Sequence, residues 1–136
     1  MVINYQDGEE IRELYASYTQ SLNTGRFAEW VSCFTPDGVF ESPWVGRHAG
    51  REALLELSRD STLSAKFKLR HLTSDLIFAV DGDSGTGCCN LAFFLTRAGV
   101  IEYVGVGRYD DQLRKVDGKW YFAVRVEHLD TGKPSI

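Results

Sequence analysis

The chain is poor in the residues that mark several large functional classes. Its 136 residues hold three cysteines, three histidines, three prolines and one methionine. Cys33, Cys88 and Cys89 are an odd number, and neighbours on a strand point to opposite faces, so Cys88 and Cys89 cannot bridge each other. No cysteine–histidine spacing resembles a zinc site, and no metal is expected. Positive charge is not in excess: 15 Lys and Arg face 19 Asp and Glu, a net charge of −4. That argues against nucleic acid and anionic membranes as partners, since both require a basic face. No apolar run approaches the roughly 18 residues of a membrane span. The opening "MVINYQDGEE" has no basic-then-apolar signal region, so a reduced, cytoplasmic protein is expected. There is no internal repeat and no low-complexity tract.

What is present is ordinary globular composition, 43% hydrophobic and 25% charged, in a length that fits one domain over residues 1–136. Ile11, Leu14, Tyr15, Tyr18 and Leu22 recur at helical spacing and predict a helix over 8–23, closed by "NTG". Phe27, Trp30, Val31 and Phe34 predict a second, short helix that stops before Pro36. "TPDG" reads as a turn, "VFES" as a short strand halted by Pro43, and "GREALLELSRD" as a third helix over 50–60. Beyond residue 65 the period changes from 3.6 to 2. "FKLRHLTSDLIFAV", "TGCCNLAFFLTR", "VIEYVGVGRYDDQLRKV" and "KWYFAVRVEHL" then read as long strands, and Asp117-Gly118 as a tight hairpin. Helices first and a meander afterwards define an α+β fold, with three N-terminal helices on the concave face of a strongly bent antiparallel sheet.

Several polar residues stand among apolar ones. Tyr18 lies in the apolar stripe of the first helix and Asn23 at its end, where asparagine is also a common terminator. Strict alternation puts His71 on one strand face with Leu69, Thr73, Asp75 and Ile77, and sets Arg125 against Trp120, Phe122, Val124 and Val126, a pattern compatible with a solvated arginine. Asn90, amid Leu91, Ala92, Phe93 and Phe94, needs a partner and is a candidate for lining a pocket. Tyr103, Gly105, Gly107 and Tyr109 fall on one face of a strand, where two glycines between two tyrosines leave either a trough or a bend. His48 and His128 are expected at the surface.

The strings "YTQSLNTGRFAEWVSCFTPDGVFESP…GREAL", "RHLTSD" and "GRYDDQLRKVDGKWYF", in this order, resemble the SnoaL-like branch of the nuclear transport factor 2-like superfamily. The resemblance implies a cone with a deep apolar pocket between curled sheet and helices. It implies pocket positions for Tyr18 and for His71, and it makes Arg125 similar to a late-strand arginine of some dehydratases. Asn23 stands where those enzymes usually carry the aspartate that holds the histidine. Ser42 stands where ketosteroid isomerases carry their aspartate base, and no carboxylate stands near Gly107, so steroid isomerisation by that route is not expected.

Two functional expectations follow. One is an enzyme without metal or organic cofactor, acting on an apolar, typically cyclic small molecule by proton abstraction with elimination or isomerisation. His71 would be base, Tyr18 electrophilic donor and Asn23 orienter, with Ser42, Asn90, Tyr103 and Arg125 at the substrate. The other is a non-catalytic binding or accessory domain that kept the pocket. An assembly role like that of a dioxygenase β subunit fits the chain length less well. Apolar residues on both faces of the strands also predict a homodimer through the outer face of the sheet.

Overall fold

The computed structural model of the chain describes residues 4–60 and 68–133. Helix α1 spans Tyr5–Asn23, three residues longer at its start than the periodicity predicts. The reason is Asn4, whose side-chain oxygen accepts from the amides of Gln6 and Asp7 at 3.0 and 3.3 Å and so caps the first turn. Gly25, at φ 72°, takes the left-handed conformation just past the other end. α2 is a single turn, Phe27–Val31, and α3 spans Arg51–Asp60.

Six strands follow the order β2-β1-β6-β5-β4-β3 in one open sheet. They are β1 (Phe34–Ser42), β2 (Gly46–Ala49), β3 (Lys68–Asp81), β4 (Ser84–Arg97), β5 (Val100–Val116) and β6 (Lys119–Leu129). Phe67, expected to open the first of the four long strands, lies outside the described residues. "TPDG" is not a separate turn. It is an irregular kink inside β1, where a Cβ on Gly38 would stand 2.7 Å from the Phe34 Cβ. The four-residue β2 was not legible in the apolar pattern, because most of it is exposed. All pairings are antiparallel except β1 with β6, which is parallel.

Three irregularities shift the alternation of the long strands. On β3 the pairing jumps from Ser74–Asn90 to Ile77–Cys88, and Asp75 sits there at φ 58°. On β5 Val104 is unmatched between Gly105–Phe93 and Tyr103–Phe94. On β6 Ala123 is unmatched between Phe122–Leu113 and Val124–Gln112. Each such bulge moves later side chains to the other face. Asp75 and Ile77 therefore leave the face of His71, while Leu76 and Phe78 turn in against the core. Tyr103 turns outward and is 54% exposed. Arg125 turns inward to the face of Trp120 and Phe122 and is 1% exposed.

The core lies between the inner sheet face and the helices. Ile11, Leu14, Tyr15 and Tyr18 of α1 meet Leu91, Leu113, Trp120 and Phe122 there. Cys88 and Cys89 point to opposite faces, and all three cysteines are free. Among the described residues, no helix is long and apolar enough to cross a membrane.

Candidate functional site

A cavity of about 390 Å³ opens between the helices and the inner sheet face. Aromatic rings form much of its wall, including Phe40, Trp44 and Phe93, and Tyr18, Trp30, Ser42, His71, Tyr109 and Glu127 also line it. Gly105 makes room for this wall. A Cβ there would lie 2.7 Å from the Phe93 ring and 2.8 Å from Trp44. Gly107 instead serves a close backbone approach, since a Cβ would overlap the His128 carbonyl. The two glycines thus serve packing and bending rather than a trough between tyrosines.

His71 is half-buried on β3, its ring stacked on Phe93 with centroids 5.2 Å apart. Asn23, the last residue of α1, grips it from behind. The Asn23 amide nitrogen donates to the His71 carbonyl at 2.9 Å, and the Asn23 oxygen accepts from the His71 backbone N–H at 2.7 Å. Those two backbone partners settle which end of the amide is oxygen, because each has only one possible role. The same oxygen lies 3.1 Å from His71 Nδ1. An oxygen without a proton requires Nδ1 to carry one, so the neutral ring keeps its lone pair on Nε2. Burial, helped by the Arg125 guanidinium, pushes the His71 pKa down to about 4. The imidazole is therefore neutral at physiological pH.

Tyr18 is buried among Trp30, Phe34, Tyr109 and Phe122. Burial outweighs the opposing pull of Arg125 and pushes its hydroxyl up to about 12, which keeps the proton on oxygen. Ser42 lines the cavity and donates to Glu127 Oε1 at 2.8 Å, while its own oxygen accepts from the Trp44 amide at 3.1 Å.

Glu127 was missed by sequence reasoning. It is a buried carboxyl on the cavity wall, and burial raises its pKa against the Ser42 hydrogen bond and the charge of Arg125. Strict alternation from Trp120 and Phe122 assigns it to the outer face. Only the bulge at Ala123 brings it in.

Three expected substrate contacts fall elsewhere. Asn90 is on the outer face, where its amide donates to Asp75 at 3.0 Å. Tyr103 is also outside, its ring edge against Phe94. Arg125 neither lines the cavity nor meets solvent. Its guanidinium lies behind the wall, 3.6 Å from the Tyr109 ring centroid and 4.2 Å from that of Tyr18. Its Nε is 2.9 Å from Asp111, whose other oxygen accepts from the Tyr15 hydroxyl. Burial raises Asp111 above the ordinary carboxylate range, and Arg125 opposes that rise. His48 contributes to the cavity wall, although its Nε2 is 2.7 Å from the Val45 carbonyl, and His128 is exposed beside Asp110. Among the described residues, no three His, Cys, Asp or Glu side chains are grouped to hold a metal ion.

Residues 4–126 match the family model described as a SnoaL-like domain, and the curled, unclosed sheet with its N-terminal helices is the nuclear transport factor 2-like cone. The chain belongs to the SnoaL-like family. It is similar to a point variant of Rv3472, a protein of unknown function from Mycobacterium tuberculosis, at 36% identity and a TM-score of 0.85 over 94% of this chain and 74% of that one. A protein of unknown function with a cystatin-like fold from Nostoc punctiforme is 27% identical, with a TM-score of 0.84 over 98% of each chain. An NTF2-like protein from Novosphingobium aromaticivorans, 24% identical, shares the fold at a TM-score of 0.87 over 95% of this chain and 85% of that one.

Proposed function

We propose that the protein is a cofactor-independent small-molecule enzyme, one that moves a proton in an apolar, cyclic substrate during an elimination or isomerisation. The observation that carries this reading is the Asn23–His71 pair, which leaves Nε2 of a neutral imidazole as a base on the wall of an apolar cavity. A histidine held near 4 is a weak base, so the substrate proton must be acidified by stabilising charge on a neighbouring oxygen. Tyr18, which keeps its proton far above neutrality, supplies a hydrogen bond for that oxygen. Glu127, a buried carboxyl on the same wall, would relay a proton to the product or leaving group. Ser42 steadies that carboxyl. Arg125 acts from behind, through its charge and through the rings it packs against.

The test is exchange of ring protons next to a carbonyl. A panel of apolar cyclic ketones incubated with the protein in deuterated buffer is followed by proton NMR. Exchange should exceed the buffer rate, and His71→Gln should cut it about a hundredfold or more while binding persists. Binding without exchange across the panel would instead support the non-catalytic reading, which the uncharged orienter Asn23 favours.

A further inference from the structure

The cavity has a neighbour on the far side of the sheet. A groove of about 480 Å³ lies against the outer face, to which Glu41, Val126 and His128 point, and Arg47 borders it. Among the described residues, the groove and the cavity share two wall residues, Ser42 and Glu127. These two stand where the sheet parts. β1 pairs with β6 through Phe40–Arg125 and Glu41–Val126, and the pairing then stops. Beyond that point Ser42 pairs with Gly46 of β2, and Glu127 with Tyr109 of β5. What closes the seam is a side-chain hydrogen bond, from the Ser42 hydroxyl to Glu127 Oε1 at 2.8 Å. A backbone ladder is a continuous wall, whereas a hydroxyl and a carboxyl pass protons to any water that touches them.

We infer that the Ser42–Glu127 pair is a proton port, through which Glu127 exchanges protons with water in the outer groove while a substrate fills the cavity. The inference rests on reading the cavity as the substrate site and Glu127 as the proton relay. A cavity walled by Phe40, Trp44 and Phe93 holds little water once an apolar ring occupies it. The mouth is then blocked, and Glu127 needs another route to solvent in order to reload. The groove supplies one, because Glu41, Arg47 and His128 give water the polar partners it needs to settle there. Ser42 suits the crossing. Its hydroxyl donates to Glu127, and of its two lone pairs one accepts from the Trp44 amide at 3.1 Å, which leaves the other for a water. The protons balance over a turnover. Glu127 gives one to the product and becomes a carboxylate, and bulk water restores it by way of the groove and the Ser42 hydroxyl. The proton that His71 takes from the substrate returns to bulk water by the mouth once the product has left.

Thiol chemistry at position 42 reads which side the pair opens to. Ser42→Cys puts a thiol in place of the hydroxyl, and the reactivity of a thiol follows its access. The reagent is trimethylammonium-ethyl methanethiosulfonate, whose fixed charge keeps it out of an apolar pocket. Fluorenone, an apolar tricyclic ketone, is the plug, and its binding is followed by NMR at the His71 ring. Peptide mass mapping separates the label at position 42 from any at Cys33, Cys88 or Cys89. With the plug bound, position 42 should react within about twofold of the unplugged rate, and adding Val126→Trp to fill the groove should slow it about tenfold or more. Protection by the plug would mean that the pair opens to the cavity alone, and would overturn the inference. So would a rate that Val126→Trp leaves unchanged, or a thiol that does not react at all. Failure of fluorenone to bind would count against the cavity reading, and the Val126→Trp comparison on the empty protein would still decide the port. Should Ser42→Cys fail to fold, NMR of the unaltered protein with fluorenone bound takes its place, because exchange of the Ser42 hydroxyl with water carries magnetisation to its β-protons. That transfer should persist with the plug and vanish in Val126→Trp, and its loss on plugging would refute the port.

Discussion

An amide at position 23 both accepts from and donates to the His71 backbone, whereas a carboxylate can only accept. Asn23→Asp should therefore have two opposed effects. The His71 carbonyl loses its donor and meets a negative charge, lowering stability near neutral pH by about 1–2 kcal/mol. The His71 pKa, near 4 in the natural chain, should rise by about a unit or more, because a carboxylate at that distance favours imidazolium. NMR titration of the His71 ring measures the second effect, and an unchanged pKa would mean the two side chains do not meet in solution. The same depressed pKa sets a pH dependence. A folded value near 4 lies below the unfolded 6.5, so the contribution of His71 is fully present above 6.5 and is lost as pH falls toward 4, by up to about 3 kcal/mol. Glu127 acts with the opposite sign: its raised folded pKa gives stability present at low pH and lost as pH rises through that value. Urea unfolding of the natural chain and His71→Gln between about pH 4 and 7 isolates the histidine term. The two curves should converge as pH falls if His71 is buried in its neutral form, and stay parallel if it is not.

Among the elements, β6 carries the most consequential irregularity, because the extra residue Ala123 turns both Arg125 and Glu127 inward. Arg125 and Asp111 form an ion pair that neither could leave cheaply. Arg125→Met should destabilise the fold by about 3–5 kcal/mol, by stranding a buried carboxylate. Adding Asp111→Leu should recover much of that loss. A double-mutant cycle by urea unfolding checks it, and additive losses would refute the coupling. Tyr15→Phe removes the second donor to Asp111 and should cost about 1–3 kcal/mol in the same assay. The bulges also explain what could and could not be read beforehand. The first helix, the Asp117-Gly118 hairpin and the four long strands follow from periodicity and turn chemistry, which are local. Asp75, Val104 and Ala123 are not special residues by type, and nothing in a single strand says which position its neighbour will leave unmatched. Tyr103 and Arg125 were thus misplaced and Glu127 overlooked, while Tyr18 and His71 lie on stretches that no bulge disturbs before they reach the cavity.

For the molecule as a whole, we propose a homodimer through the outer sheet face. Leu72, Ile101, Tyr103 and Val106 are exposed there, with Ile101 at 73%, and Phe94 is only half-covered. Leu76 and Phe78 do not contribute, because the β3 bulge turns them inward. Exposed apolar patches of this kind mark interfaces more often than they mark free surface. Sedimentation at micromolar concentration should report a dimer that Ile101→Glu converts to monomer. A monomeric natural chain would refute the proposal.

An open sheet has two ends, and they are protected unequally. The β2 end is four residues long, whereas the β3 end exposes a strand of fourteen. Unpaired N–H and C=O groups along such an edge invite a strand from another chain to add on. Asn23 removes one such pair at His71 by acting as a mock strand residue, donating and accepting as a neighbouring backbone would. Further along, Phe78 packs against Gly8 and Arg12 at the start of the same helix. The side chain that orients the proposed base is therefore also a stopper on the growth of the sheet. Evolution at position 23 is constrained twice over, since any substitution chosen for its effect on chemistry also changes the tendency of these chains to join edge to edge.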